Sequence, residues 1–259
     1  MIEFKNVSKH YNADTYGAKD LSFLVKDGEI FVLVGLSGCG KTTTLKLINR
    51  LIEADTGDIK INGIDVKEWD PIALRRNIGY VIQDSGLFPH MTIAENVAII
   101  PRLKRWNRKK IDDTVRSMLS KVDLDPEIYG SRYPAQLSGG QKKRAGVARA
   151  LAGNAEIILM DEPFGGLDPI TREELQNEFV KLQKKLSKSV VFVTHDIFEA
   201  VKIGNRIAVM HDGRIQQLNY PDLILHNPAN KFVENFIGPH RDYLINYAEK
   251  LAREKRLVL

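Results

Sequence analysis

Lys41 and Thr42 close a glycine-rich stretch, Gly35-Leu36-Ser37-Gly38-Cys39-Gly40-Lys41-Thr42-Thr43, that fits the pattern G-x-x-x-x-G-K-[ST]. This spacing suits the holding of nucleotide phosphates. The glycines let successive backbone N–H groups converge on one anion. The lysine places a point charge on the β- and γ-phosphates, and the threonine hydroxyl can ligate Mg²⁺. Further along, Asp161 and Glu162 end the apolar run Ile157-Ile158-Leu159-Met160. A carboxylate at the end of a buried strand suits a hard cation such as Mg²⁺. The next carboxylate sits where it can polarise a water for attack on a γ-phosphate. Phosphoryl transfer asks for positioning and charge stabilisation rather than covalent chemistry from the protein. Each motif alone has a plainer reading, a glycine-rich turn or a solvated acidic turn.

A second anion-binding helix start lies between these motifs. Leu137-Ser138-Gly139-Gly140-Gln141 runs into Lys142-Lys143-Arg144-Ala145-Gly146-Val147-Ala148-Arg149, a stretch of good helix formers. One chain with two separate phosphate-binding starts is most economically completed by two copies paired head to tail, each capping the other's nucleotide. An ordinary Gly-Gly turn is the plainer alternative.

The elements that must position these residues are legible in outline. Ile30-Phe31-Val32-Leu33-Val34 before the glycine stretch reads as a buried strand, and Thr43 to Asn49 after it as a helix. Ile2 to Val7, Leu21 to Lys26 and Ile59 to Gly63 alternate as half-buried antiparallel strands do. From Ser85 to Ala155 the pattern is helical, with Ile111, Val115, Met118, Leu119 and Val122 on one face. Buried strands then return, alternating with helices, up to Met210. In that stretch Asp168-Pro169-Ile170 opens a helix whose apolar stripe is Leu175, Phe179, Leu182 and Leu186. Arg241 to Leu259 reads as a surface helix with Leu244, Tyr247, Ala248 and Leu251 on one side.

Composition narrows the classes. The chain has 259 residues and a net charge of +5, from 38 Lys+Arg against 33 Asp+Glu. This mild excess gathers in Arg102-Leu103-Lys104-Arg105-Trp106-Asn107-Arg108-Lys109-Lys110 and in the tail at Arg253 to Arg256. No groove-reading motif accompanies these clusters, so nucleic acid is not expected as a partner; a solvated helix start or proximity to anionic lipid heads fits better. No apolar run reaches the length of a transmembrane helix and no signal-peptide pattern is seen, so a cytosolic chain is expected. A single cysteine, Cys39, excludes a disulfide framework and a four-cysteine metal site. Its place at a helix N-terminus predicts a lowered thiol pKa and raised reactivity.

With these motifs in this order, the chain resembles the ATP-binding subunits of ABC transporters from Ile2 to about Gly238; Leu137 to Gln141 matches that family's signature motif letter for letter. The resemblance implies an α/β fold. Its parts are a P-loop NTPase core with a mainly parallel sheet, an N-terminal antiparallel β-subdomain, and an inserted α-helical subdomain at about 85–155. It gives an ATPase domain over 1–238 and a helical extension over 239–259. It implies that ATP and Mg²⁺ are bound and that Lys41, Glu162 and His195 are catalytic, with His195 the γ-phosphate switch. Tyr11 stacks on adenine, Gly35 to Thr43 cradle the phosphates, and Thr42, Gln83 and Asp161 serve the metal. Ser138, Gly139, Gly140, Gln141 and Asp168 act across a homodimer. Read without the family, Tyr11 could be a surface tyrosine, Gln83 a solvated residue and His195 a structural histidine.

The finer resemblance is to ATPases of importers for quaternary amine osmoprotectants such as glycine betaine, choline and carnitine. It rests on Asn49-Arg50-Leu51-Ile52-Glu53, Asp70-Pro71 with Leu74-Arg75-Arg76, Ile78 to Gln83, Gly86 to Ile93, and Asp161 to Phe164 through Asp168 to Arg172. It implies transmembrane permease subunits, a place on the cytoplasmic face of the membrane, and an extracytoplasmic solute-binding protein acting indirectly. The exposed pair Leu87-Phe88 beside Gln83 is expected to dock on the permease. The chain departs from that group at Gly166, where alanine is usual, at Lys142-Lys143, where glutamines are common, and beyond Gly238, where many members carry paired CBS domains. Three alternatives stand beside this reading: an amino-acid importer ATPase, a lipid or export ATPase of the same architecture, and a non-transport ABC ATPase.

Overall fold

Apolar and polar residues alternate from Ile2 to Lys5 and build the first strand, β1 (Ile2–Asn12), with Ile2 and Phe4 buried. The structure, a computed structural model, describes residues 1–12, 15–238 and 241–256, with side chains described to residue 249. They fall into two compact units, Met1–Glu68 with Val191–Leu259, and Trp69–Val190.

In the first unit, β1 bulges at Asn6, whose φ is 50°, so Val7 and Ser8 are both buried and the strand runs on past Val7. Its partner β2 (Thr15–Val25) begins earlier than the alternation at Leu21 suggests. β3 (Ile30–Gly35) is buried along its whole length and feeds the glycine loop, which opens α1 (Lys41–Ile48). β4 (Thr56–Ile61) and the short β5 (Ile64–Asp65) complete an antiparallel sheet of order β2-β1-β4-β5. Phe4, Phe23 and Phe31 stack in its core, with ring centroids 4.3 and 5.0 Å apart.

The second unit opens with α2 (Pro71–Arg76) and β6 (Ile78–Val81). The expected helical stretch then holds α3 (Ile93–Leu103), α4 (Arg108–Lys121), α5 (Pro126–Tyr129) and α6 (Gly139–Ala152). Val115, Leu119 and Val122 are buried, while Ile111 and Met118 are half-buried at the edge of that face. β7 (Ile157–Asp161) pairs parallel with β6, Ile78 opposite Ile157 and Val81 opposite Met160. α7 (Pro169–Leu186) buries Leu175 and Phe179 of the predicted stripe, but Gln176 and Gln183 complete its inner face and Leu182 and Leu186 are half-buried. Gln183 is tolerated inside because its amide donates to the carbonyl of Lys188 at 2.8 Å.

β8 (Ser189–Thr194) carries the chain from the second unit back into the first. α8 (Ile197–Ile203), β9 (Arg206–His211) and β10 (Arg214–Asn219) follow. β9 lies parallel to β3 and antiparallel to β10, joined to the latter by Asp212-Gly213, both at positive φ as a tight hairpin requires. α9 (Pro221–His226), α10 (Lys231–Ile237) and α11 (Arg241–Arg256) end the unit. α11 packs on α8 and α9, burying Leu244 with Tyr247 and Ala248 half-buried. Residues 239–240 and 257–259 of the expected extension, and the side chain of Leu251, lie outside the described residues. Among the described residues no helix is long and apolar enough to cross a membrane.

Candidate functional site

The first unit holds Tyr11, the glycine loop and His195. The loop turns tightly between β3 and α1 because Gly40 takes φ 105° and lies against β2: a Cβ there would sit 2.2 Å from the carbonyl oxygen of Gly17. Gly35 is equally constrained by β9, since its Cβ would lie 2.3 Å from the carbonyl oxygen of Met210. Lys41 is only 6% exposed. Its Nζ donates to the carbonyls of Gly35 and Leu36 at 2.8 and 2.9 Å, so the ammonium lies along its own loop. Thr44 pins the first turn of α1, its Oγ1 donating to the Gly40 carbonyl at 3.0 Å. The Cys39 carbonyl accepts from the Gly213 N–H at 3.1 Å, tying the loop to the β9–β10 hairpin.

Tyr11, half-exposed near the end of β1, leans over this loop. Its hydroxyl lies 3.1 Å from Oγ1 of Thr43, and its ring covers Gly17 so closely that no side chain would fit there. His195 is exposed at the C-terminal end of β8, and the next residue, Asp196, caps α8 by accepting from the Phe198 N–H at 2.8 Å. Cys39 does not have the lowered pKa expected of a thiol at a helix N-terminus. The thiol is 4% exposed, and burial pushes its pKa up more than the Lys41 charge and hydrogen bonds pull it down.

The second unit holds the other predicted residues. Asp161 ends β7 and is 8% exposed; burial pushes the nearby Tyr80 phenol up to about 12, and the Asp161 carboxylate adds to the shift. Glu162 follows in the left-handed region, φ 44°, a conformation that costs a non-glycine residue about 1–2 kcal/mol. The turn takes its side chain out of the strand's alternation and toward Gln83, whose Nε2 lies 3.4 Å from Glu162 Oε2. A strained carboxylate with an amide beside it is an arrangement suited to holding a water.

Ser138 is the N-cap of α6. Its Oγ accepts from the Gln141 N–H at 3.3 Å, and the Ser138 N–H donates to Gln141 Oε1 at 3.0 Å, a reciprocal capping box. Ser138 and Gly139 are exposed, while Gly140 is buried beside Thr171. Asp168 caps α7, accepting from the Thr171 N–H at 3.0 Å, a contact that holds its carboxyl below the usual range.

The predicted metal residues Thr42, Gln83 and Asp161 present a hydroxyl, an amide and a carboxylate, hard oxygen donors of the kind Mg²⁺ takes. Among the described residues no cluster of three or more His, Cys, Asp or Glu could hold a metal ion alone.

Two contributors were given no role by the sequence. Asn96, fully buried in α3, accepts from the Phe88 N–H at 2.7 Å and donates to the carbonyls of Phe88, Met91 and Thr92 at 3.1, 3.1 and 2.9 Å. Its signal was an amide among Ile93, Val97 and Ala98 on an otherwise apolar face. Lys143 donates from α6 to the Gln83 carbonyl.

The description "ABC transporter" belongs to the family model that matches residues 18–165. The chain is 53% identical over 241 residues to the carnitine transport ATP-binding protein OpuCA of Listeria monocytogenes, covering 93% of this chain and 60% of that protein. It is 52% identical to the glycine betaine/carnitine/choline transport ATP-binding protein OpuCA of Bacillus subtilis, covering 93% and 63%. It is 45% identical to the glycine betaine uptake system ATP-binding protein YehX of Escherichia coli, covering 92% and 77%. The chain thus spans 60% of the first of these relatives. Among solved structures, the dimeric post-hydrolysis ATP-binding cassette MJ0796 bound to ADP and Pi superposes with a TM-score of 0.76 at 35% identity, covering 85% of this chain and 99% of that one. CbiO1 of Clostridium perfringens, at 24% identity and TM-score 0.80 over 95% and 98%, shares the fold.

Proposed function

We propose that this chain, which belongs to the ABC transporter family, is the ATP-binding and hydrolysing subunit of an importer for quaternary amine osmoprotectants such as glycine betaine, choline or carnitine. The observation that carries the ATPase reading is the Gln83–Glu162 pair, 3.4 Å apart, directly after Asp161. The names of the relatives carry the solute class.

In this reading the N–H groups of residues 36–42 and the Lys41 ammonium bind the β- and γ-phosphates. Tyr11 stacks on the adenine. Thr42, Gln83 and Asp161 would hold Mg²⁺, which when bound neutralises charge on the phosphates. Glu162 orients the attacking water and takes its proton as the water oxygen bonds to the γ-phosphorus and the bond to the ADP oxygen breaks. His195 contacts the γ-phosphate. Ser138, Gly139, Gly140, Gln141 and Asp168 close over the nucleotide held by a second copy. The exposed Phe88 and its loop dock on a permease, which keeps the chain at the cytoplasmic face of the membrane.

Glu162→Gln tests this. It keeps shape but removes the base, so hydrolysis should fall by about 10²–10⁴-fold while ATP still binds. ATP should then accumulate a dimer on size exclusion; ATP-saturated protein that elutes only as monomer counts against the shared site. Uptake of labelled glycine betaine, choline and carnitine by cells with and without this chain tests the solute class.

A further inference from the structure

α6 does more than present the Ser138–Gln141 motif at its start. Along one side it carries Lys143, Gly146 and Arg149, each three residues from the next, and all three meet the loop that follows β6. Lys143 is 9% exposed, and its Nζ donates to the main-chain carbonyl of Gln83. Arg149 donates to the carbonyl of Ser85 at 2.9 Å and to that of Gly86. Between them Gly146 admits the loop, since a Cβ there would sit 3.3 Å from the Ser85 carbonyl oxygen. A buried ammonium is costly unless partnered, so the Lys143 contact is a fixed part of the packing. Burial disfavours its charge, and the carboxylates of Asp84 and Glu162 favour it.

The contact joins two parts of the candidate site. One end is the start of α6, with Ser138 and Gln141. The other is Gln83, whose amide reaches Glu162. A helix is stiff over this distance, so the start of α6 and the Gln83 backbone must move together. Without the Lys143 contact the Gln83 carbonyl loses its donor, and the amide is no longer held at the carboxylate. We infer that Lys143 is a positioning residue for ATP hydrolysis: it locks the backbone of Gln83 to α6 and so keeps the Gln83 amide at Glu162. This rests on the ATPase reading above.

The test compares the full chain with K143M, which keeps length and loses the donor, and with K143R, which keeps a charged donor. K143M should lower kcat by about tenfold or more, because small misplacements of a catalytic group are expensive. Its Kd for a fluorescent ATP analogue should stay within about twofold, since the phosphate loop is untouched. K143R should recover kcat to within about threefold of the parent. In a Glu162→Gln background, K143M should also raise the ATP concentration that gives half-maximal dimer on size exclusion by about threefold or more, a readout independent of turnover. A parental kcat in K143M overturns the inference, as does equal loss in K143M and K143R, or loss of kcat and nucleotide affinity in proportion. If K143M does not fold, K143A takes its place, because it removes the donor altogether. Reduced kcat at unchanged Kd then supports the inference, and parental kcat overturns it. A parent chain that binds no ATP refutes the proposed function itself; a parent that hydrolyses ATP beside an equally active K143M refutes only the role of Lys143.

Discussion

The Sγ atom of Cys39 lies 3.8 Å from Nζ of Lys41, with both side chains buried in the same loop. The lysine charge favours the thiolate, but removal from water disfavours it more, and the thiol stays protonated above its ordinary range. A helix N-terminus alone is therefore a poor guide to this cysteine's reactivity.

Maleimide should label the native chain slowly at neutral pH, at least about tenfold slower than the chain unfolded in guanidinium, where the thiol has its free pKa near 8.5. The folded chain keeps its proton at pH values where the unfolded chain has released it. The Cys39 contribution to stability is thus intact below the unfolded thiol's pKa and is lost as pH rises through the higher, folded value. Denaturant melts of the parent and of Cys39→Ser between neutral and alkaline pH read this directly. Fast labelling of the native chain at neutral pH would show an exposed, thiolate-rich cysteine and contradict the burial.

Asn96 is expected to hold the loop before α3. Replacing it with alanine takes the side-chain partner from the Phe88 N–H and the Met91 carbonyl, while the Phe88 and Thr92 carbonyls keep the N–H groups of Met91 and residue 96, at a cost of about 2 kcal/mol. Asn96→Asp should do worse, because a carboxylate would face the carbonyls that the amide now serves. Urea melts give the stability difference, and hydrogen exchange at the Phe88 amide reports the loop itself. Parental protection at Phe88 in Asn96→Ala would mean the loop is held by other contacts.

The parts of the site that were readable in the sequence are those whose chemistry restricts the residue type. Gly40 must adopt φ 105° against the Gly17 carbonyl, and Ser138 with Gln141 forms a capping box, so residue type and spacing reveal both. The buried strands β3, β7 and β8 were visible as short apolar runs. What was not readable depends on partners distant in sequence. The pKa of Cys39 is set by burial, which its neighbours in sequence do not reveal. Lys143 stood out in the sequence only as a departure from a common glutamine, and its contact with the Gln83 carbonyl gives it a task. The α7 stripe was right at Leu175 and Phe179 and wrong at Leu182 and Leu186, because Gln183 finds the Lys188 carbonyl and can be buried in place of a leucine. The bulge at Asn6 likewise hid the true length of β1, because local alternation cannot anticipate a left-handed residue.

Phe88 is the last residue whose role can be tested separately from catalysis. Its backbone is clamped at both the N–H and the carbonyl by Asn96, yet its ring is 45% exposed, with the His90 ring 6.0 Å away edge to face. A ring that served to pin the core would be buried. A fixed backbone presenting an exposed ring next to the exposed Pro89 and His90 is what a docking surface requires. Phe88→Ala should therefore change stability by no more than about 1 kcal/mol and leave the isolated chain's ATPase within about twofold. In a complex reconstituted with its permease, the same variant should lose solute-coupled transport. An isolated Phe88→Ala chain that unfolds would assign the ring to the core, and a reconstituted variant that transports at the parental rate would remove docking as its role.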